Sequence, residues 1–220
     1  TTIKLLMASP LYANLTTGSN TFDIPDAFAS YFAVGDYIQL TDSANNFETN
    51  RIKSIDTSPI DYTRITLYWD VSRTYTTANL GTVYAIDPCI GAKIENFIIE
   101  YAETATADQV HAVETFFSAF CIVHNVYVLN GLTYGHRGNG IRDYKSLGTV
   151  FDNCIVADPL YFAAGEGYGI SFFYATQGQV SNSLVRGCRH SFLWQESTHC
   201  QINECISVAA RLSDFELHGN

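Results

Sequence analysis

Val123-His-Asn-Val-Tyr-Val128 and Phe151-Asp-Asn-Cys-Ile-Val156 share one grammar: apolar, any residue, Asn, any residue, apolar, apolar. The same grammar runs through Ile94-Glu-Asn-Phe-Ile-Ile99, Val180-Ser-Asn-Ser-Leu-Val185 and Ile202-Asn-Glu-Cys-Ile-Ser207. Asn96, Asn125, Asn153 and Asn182 hold the third place, and Glu204 replaces them in the last copy. The steps between these positions are 29, 28, 29 and 22 residues. A second element keeps phase with the first. Val113, Ile141, Ile170 and Phe192 each stand 10 residues before a template start, and Phe215 continues that series. All variation in length therefore falls in one connection, from template to second element. A repeat of this size with short strands in fixed phase is the pattern of a solenoid. The dense Leu signature of leucine-rich repeats is absent. A parallel β-helix fits, with Asn at a fixed corner because Asn tolerates the left-handed backbone bend. Asp108 to Phe120 has a helical apolar spacing, but in register it falls on the second element and reads mostly as strand.

Residues 1–88 follow another grammar. They hold no Cys and no His. Alternating stretches, Tyr37 to Leu40, Arg51 to Asp56, Tyr62 to Trp69 and Val83 to Ile86, are separated by polar turn clusters. This predicts a small antiparallel β-sandwich or barrel-like domain, with Asp36, Asp42 and Asp70 as turn residues. The fold class expected is all-β: a right-handed, single-stranded parallel β-helix over about residues 91–220, five coils in all, preceded by that small antiparallel domain. The division expected is 1–88 and 89–220. Thr1 is no initiator, and Asn220 follows a strand-like run directly, so the chain reads as a fragment of something longer.

Composition narrows function. The 220 residues carry 12 basic and 22 acidic side chains, a net charge of −10, which offers no electrostatic footprint for phosphate backbones. No apolar run approaches the length of a membrane span. The six Cys form no C-x-x-C pair and lie in apolar runs, so they read as buried free thiols. No loop has the dense Asp/Asn pattern of a calcium site, and neither metal nor cofactor is expected.

The five templates, with Gly165-Glu-Gly-Tyr-Gly-Ile170, Arg186-Gly-Cys-Arg-His-Ser-Phe-Leu-Trp194 and Ser213-Asp-Phe-Glu-Leu-His-Gly-Asn220, resemble the pectate-lyase-like superfamily, in particular bacteriophage tailspike and tail-fibre proteins. The resemblance implies a homotrimer in the virion tail that binds, and often cleaves, bacterial surface polysaccharide. The alternative is a non-catalytic receptor-binding or structural tail segment, and a third reading is a secreted bacterial β-helix that binds carbohydrate. No catalytic motif of a named depolymerase is matched.

In a β-helix, an extended ligand touches one residue per coil, so site candidates are read as rows. Two places before the second-element apolar residue the row is His111, Asn139, Tyr168, His190, Ser213. Two places earlier it is Gln109, Arg137, Glu166, Cys188, Arg211. One place after the apolar residue it is Glu114, Arg142, Ser171, Leu193, Glu216. Coils stack at about 4.8 Å, so carboxylates one or two layers apart span roughly the retaining to inverting spacing of glycoside hydrolysis. The catalytic candidates are Glu166, His190 and Asp214, in adjacent layers. Arg137, Arg142 and Arg189 would clamp a sugar carboxylate. His111, Tyr168 and Trp194, with Tyr161 and Phe162, would contact sugar rings. A lyase would instead use Tyr168 or His190 as the base. A non-catalytic binding segment needs only the aromatics and amides.

Overall fold

The computed structural model describes residues 7–100, 111–129, 138–157 and 167–218. The chain divides into two compact units, Thr1–Pro88 and Cys89–Asn220.

The first unit is one antiparallel sheet. Its strands are β1 (Ala8–Pro10), β2 (Thr21–Pro25), β3 (Tyr37–Thr41), β4 (Phe47–Asp56), β5 (Tyr62–Leu67) and β6 (Thr82–Ile86), in the order β1-β6-β3-β4-β5-β2. A 3-10 turn over Asp26–Tyr31 follows β2. Ile24, Ile38, Leu40, Ile52, Ile65, Leu67 and Val83 form its core, so the alternation that marks β3 to β6 as strands also decides their inward faces. β1 and β2 are short and carry Ser9, Pro10 and Pro25, which gave the sequence no strand signal. Asp36 and Asp42 are turn residues: their carboxylates accept the amides of Ala33 and of Ala44 and Asn46.

The second unit is a parallel β-helix. It starts with β7 (Cys89–Ile90) and β8 (Lys93–Glu100), then β9 (Val113–Phe116), β10 (Ser118–Ala119) and β11 (Ile122–Leu129). Next come β12 (Ile141–Tyr144), β13 (Val150–Asp152) and β14 (Ile155–Ala157). The last coils are β15 (Tyr168–Phe173), β16 (Gln179–Ser181), β17 (Leu184–Arg186), β18 (His190–Gln195), β19 (Gln201–Asn203), β20 (Ile206–Val208) and β21 (Ser213–His218). Ile94, Val123, Phe151, Val180 and Ile202 are register partners in one parallel sheet. Val113, Ile141, Ile170, Phe192 and Phe215 are register partners in the other, in the order β21-β18-β15-β12-β9. Both rows are those read from the repeat. Most of their members, with Val126, Val128, Cys154, Val156, Phe172 and Val185, make one continuous core.

The Asn column is real. Asn96, Asn125, Asn153, Asn182 and Glu204 have φ of 62, 55, 52, 50 and 51°, the left-handed bend that joins the two halves of each template. Asn125 Nδ2 donates to Asn96 Oδ1 at 2.6 Å and Asn153 Nδ2 to Asn125 Oδ1 at 3.2 Å. The ladder then turns aside, because Asn182 Nδ2 donates to Asp152 Oδ1 at 2.9 Å. Two further left-handed columns lie in the fixed connection. One holds Phe117, Lys145, Tyr174 and Glu196; the other holds Phe120, Gly148, Gln177 and His199. These two corners explain why that connection never changes length. Of the stretch Asp108 to Phe120, Val113–Phe116 and Ser118–Ala119 are strand, while 108–110 lie outside the described residues.

All six cysteines are free. No helix among the described residues is long and apolar enough to cross a membrane.

Candidate functional site

The last three strands of the β21-β18-β15-β12-β9 sheet carry the densest ionisable cluster of the β-helix. Tyr168, His190 and Ser213 are register partners at the strand entries. The next position turns inward. A Cβ on Gly169 would lie 2.3 Å from Val185 Cγ1 and 2.6 Å from the Ser191 carbonyl oxygen, so only glycine fits there. The pairing skips this position in both ladders, passing from Tyr168–His190 to Ile170–Phe192. Beyond the bend Glu216 lies on the same side as the row that starts at Tyr168, within reach of Ser213 and His190.

Glu216 is held by three donors. Ser213 Oγ donates to its Oε2, His218 Nε2 lies 2.6 Å from its Oε1, and His190 Nδ1 lies 3.2 Å from Oε2. His190 Nδ1 is also 2.6 Å from Ser213 Oγ. The hydroxyl of Ser213 and the imidazole of His218 hold the Glu216 carboxyl below its ordinary range, so it is ionised at neutral pH. His190 goes the other way: burial lowers its pKa, against the pull of Glu216. Its side chain is only 5% exposed, and its Nε2 is buried without a hydrogen-bond partner. A proton on Nε2 would be an orphaned donor, so the neutral ring with Nδ1–H aimed at Ser213 and Glu216 is the favoured form. The ring is braced by Tyr168 at 5.3 Å and His218 at 6.3 Å. Arg189 Nη1 donates to the Tyr168 hydroxyl at 3.1 Å, with its guanidinium over the same ring. The arrangement offers an anionic carboxylate, a neutral imidazole and a half-buried guanidinium on one face.

Several sequence candidates stand elsewhere. Asp214 occupies the inward bend: Ser207 donates to its Oδ1 at 2.5 Å, and Ser207 is 2.7 Å from Ser191 Oγ. Ser207 pairs with Val185, whose side chain is core, so Asp214 is a structural acceptor turned away from the His190 face. Trp194 is 7% exposed and packs 5.6 Å from Phe172 in the core, which leaves it no open ring for a sugar. Tyr168 is 4% exposed and positions His190 and Arg189 instead of stacking on ligand. Arg142 is not an open clamp. Its guanidinium lies between the rings of Tyr144 at 4.3 Å and Phe173 at 4.8 Å, with Nε 3.3 Å from Glu114 Oε1. Its Nη1 is 2.7 Å from His111 Nε2, and the other nitrogen of His111 accepts the Asn139 amide at 3.0 Å. Phe116 stacks on Tyr144 at 5.4 Å and 11°. Phe116, Tyr144, Arg142 and Phe173 thus stack in order, with the Arg142 guanidinium covered on both faces. Glu166 and Arg137, with Tyr161 and Phe162, lie outside the described residues.

The site therefore keeps His190 and Arg189 from the sequence reading and adds Glu216, His218 and Ser213. Glu216 stood in the row Glu114, Arg142, Ser171, Leu193, Glu216 and was passed over for Asp214. Among the described residues no three His, Cys, Asp or Glu side chains are placed to hold a metal ion.

No family model matches the sequence, and no curated protein does. Solved structures do. The tailspike gp61 of Pseudomonas phage phi297 aligns over 91% of this chain and 31% of its own, at TM-score 0.65 and 12% identity. The tailspike protein gp49 of Pseudomonas phage LKA1 aligns over 96% of this chain and 41% of its own, at TM-score 0.59 and 16% identity. A weaker likeness, TM-score 0.42 and 10% identity over 92% of this chain and 46% of that one, is to the Gp54 tailspike of Acinetobacter baumannii bacteriophage AP22. The chain thus has the fold of phage tailspikes and spans less than half the length of those it matches.

Proposed function

We propose that this chain is part of a phage tailspike-type protein, homotrimeric in the virion tail, that binds bacterial surface polysaccharide and cleaves it on the outer face around Glu216. The supporting observation is the Glu216 carboxylate, ionised and oriented by Ser213, His218 and His190. An anionic carboxylate beside a neutral imidazole suits a base or nucleophile, which acts in both hydrolysis and β-elimination. Arg189 would supply the cation for a sugar hydroxyl or carboxylate. The acid partner proposed is Glu166, two residues before Tyr168 in the sequence. A binding-only reading has one observation in its favour: among the described residues no second carboxylate shares the outer face with Glu216 as a hydrogen-bond neighbour.

The test is incubation of the protein with bacterial capsular and lipopolysaccharide glycans, following reducing ends and the ultraviolet absorbance of unsaturated products. Glu216→Gln should lower turnover at least ~100-fold, as expected for loss of a general base or nucleophile. Asp214→Asn should leave turnover near wild type. Glu166→Gln separates the readings, because a hydrolase needs that acid. Full turnover in Glu216→Gln would reject the site, and retention of glycan without turnover would favour binding alone.

A further inference from the structure

The first unit holds two arginines in the same posture and with different partners. Arg64 lies 5.4 Å over the Tyr62 ring, and Asp23 fills its fork: Nε to Oδ1 at 2.9 Å, Nη2 to Oδ2 at 3.1 Å. Arg51 lies between two rings, 5.2 Å from Tyr37 and 5.6 Å from Tyr68. Its Nε donates to the Gly35 carbonyl at 3.0 Å, from a glycine at φ 94°. No acid among the described residues pairs with Arg51. The backbone fixes the pocket further. The Tyr68 amide donates to the Arg51 carbonyl at 3.0 Å, and Asn50 links the Arg51 amide to the Trp69 carbonyl. The guanidinium is thus rigid, and its two Nη groups have no hydrogen-bond partner among the described residues. Tyr68 is 49% exposed and its ring is 5.8 Å from that of Trp69. Lys53, exposed two residues further along β4, adds local positive charge to an otherwise acidic unit. The nearby Asp36 carboxylate accepts the Ala33 amide through Oδ2 at 2.7 Å.

We infer that Arg51, Tyr68 and Trp69 form a subsite for a carboxylate-bearing sugar on the first unit. The two Nη groups take the carboxylate by two parallel hydrogen bonds, end-on, because Nε is held by the Gly35 carbonyl, whereas Arg64 takes Asp23 side-on through Nε and Nη2. The Tyr68 ring takes the C–H face of the pyranose, and Trp69 flanks it. Aromatic faces beside the fork favour a sugar acid over an acidic peptide. The subsite goes beyond the Glu216 face and does not rest on it.

Only two tryptophans are present, Trp69 here and Trp194 in the β-helix core, so emission reports the subsite directly. The chain is titrated with trigalacturonate, with a neutral galactose trisaccharide and with a short polyglutamate. Trigalacturonate should give a saturable change that vanishes in Trp69→Phe and weakens with salt. Arg51→Gln should raise its Kd roughly tenfold or more, as for loss of a charge-assisted pair of hydrogen bonds. Arg51→Lys keeps the charge without the fork and should bind almost as poorly. Tyr68→Ala, which keeps the Arg51 Nε bond to the Gly35 carbonyl, should bind several-fold less tightly. Equal affinity for the neutral sugar, equal affinity for polyglutamate, no response to trigalacturonate, or unchanged binding in Arg51→Gln and Arg51→Lys would each overturn the assignment. Loss of trigalacturonate binding with intact glycan cleavage would sink this subsite alone. Cleavage lost with binding kept would sink the Glu216 site alone.

Discussion

Among the described residues each unit has one carboxylate that is almost wholly buried, Glu48 and Asp143, and the two are stabilised differently. In the antiparallel unit Glu48 is 1% exposed. Ser72 serves its Oε2 through both its amide, at 3.0 Å, and its hydroxyl, at 2.9 Å, while Oε1 is buried without a partner. Burial pushes its pKa up to about 7. In the β-helix Asp143 is 0% exposed, inside the stack. Thr115 Oγ1 donates to its Oδ1 at 2.5 Å, its Oδ2 is buried without a partner, and burial pushes its pKa up to about 6. Thr115 comes from the coil before, where it is the register partner of Asp143. A stacked coil can bring hydroxyls to a buried acid from the layer beside it, whereas an open sheet draws on one turn.

The largest test is of pH. Both acids are protonated in the fold at pH values where they ionise in the unfolded chain. Their contribution is complete below the unfolded pKa and is lost as pH rises through the folded value. Stability of the first unit should fall between pH of about 4.5 and 7, and of the β-helix between about 4 and 6, by on the order of 3 kcal/mol each. Trp194→Phe and Trp69→Phe variants, melted at each pH by fluorescence, report the two units separately. Glu48→Gln and Asp143→Asn should flatten the respective curves, and a flat wild-type curve would remove the premise. A smaller effect separates the donors. Thr115→Val should raise the Asp143 pKa and cost about 1–2 kcal/mol near neutral pH, by loss of one hydrogen bond to a charged group. Ser72→Ala should cost less, about 1 kcal/mol, because the amide of residue 72 still serves Glu48. If the two costs come out reversed in urea titrations, the layered-donor account fails.

The β-helix was legible because its inward positions repeat. Val113, Ile141, Ile170, Phe192 and Phe215 are apolar in every coil, and Asn at the template corner is a residue type that signals its own backbone angle. The other corners were silent for the opposite reason. Phe117, Lys145, Tyr174 and Glu196 adopt the same left-handed angle with no common chemistry, because neighbouring coils impose it. The site was half legible. His190 and Glu216 both stood in rows drawn from the sequence, but the bend at Gly169, Ser191 and Asp214 sends that position inward and leaves its neighbours out. Simple alternation cannot show such a bend, so Asp214 was preferred to Glu216. Residue type does not reveal that Arg142 lies between the rings of Tyr144 and Phe173 or that Trp194 packs on Phe172. Tyr68 and Trp69 gave no signal beyond a strand end.

The invariant 10-residue passage from Val113 to Val123, Ile141 to Phe151, Ile170 to Val180 and Phe192 to Ile202 makes the coil, not the residue, the natural unit of change. Excising the 29 residues from Ile141 to Gly169 would join Gly140 to Ile170 and leave every remaining side chain on its own face. Removing one residue from within the passage would turn a whole strand inside out. Duplication and loss of complete cassettes, with free extension at the single elastic corner, is the route by which such a chain can lengthen its reach without relearning how to fold.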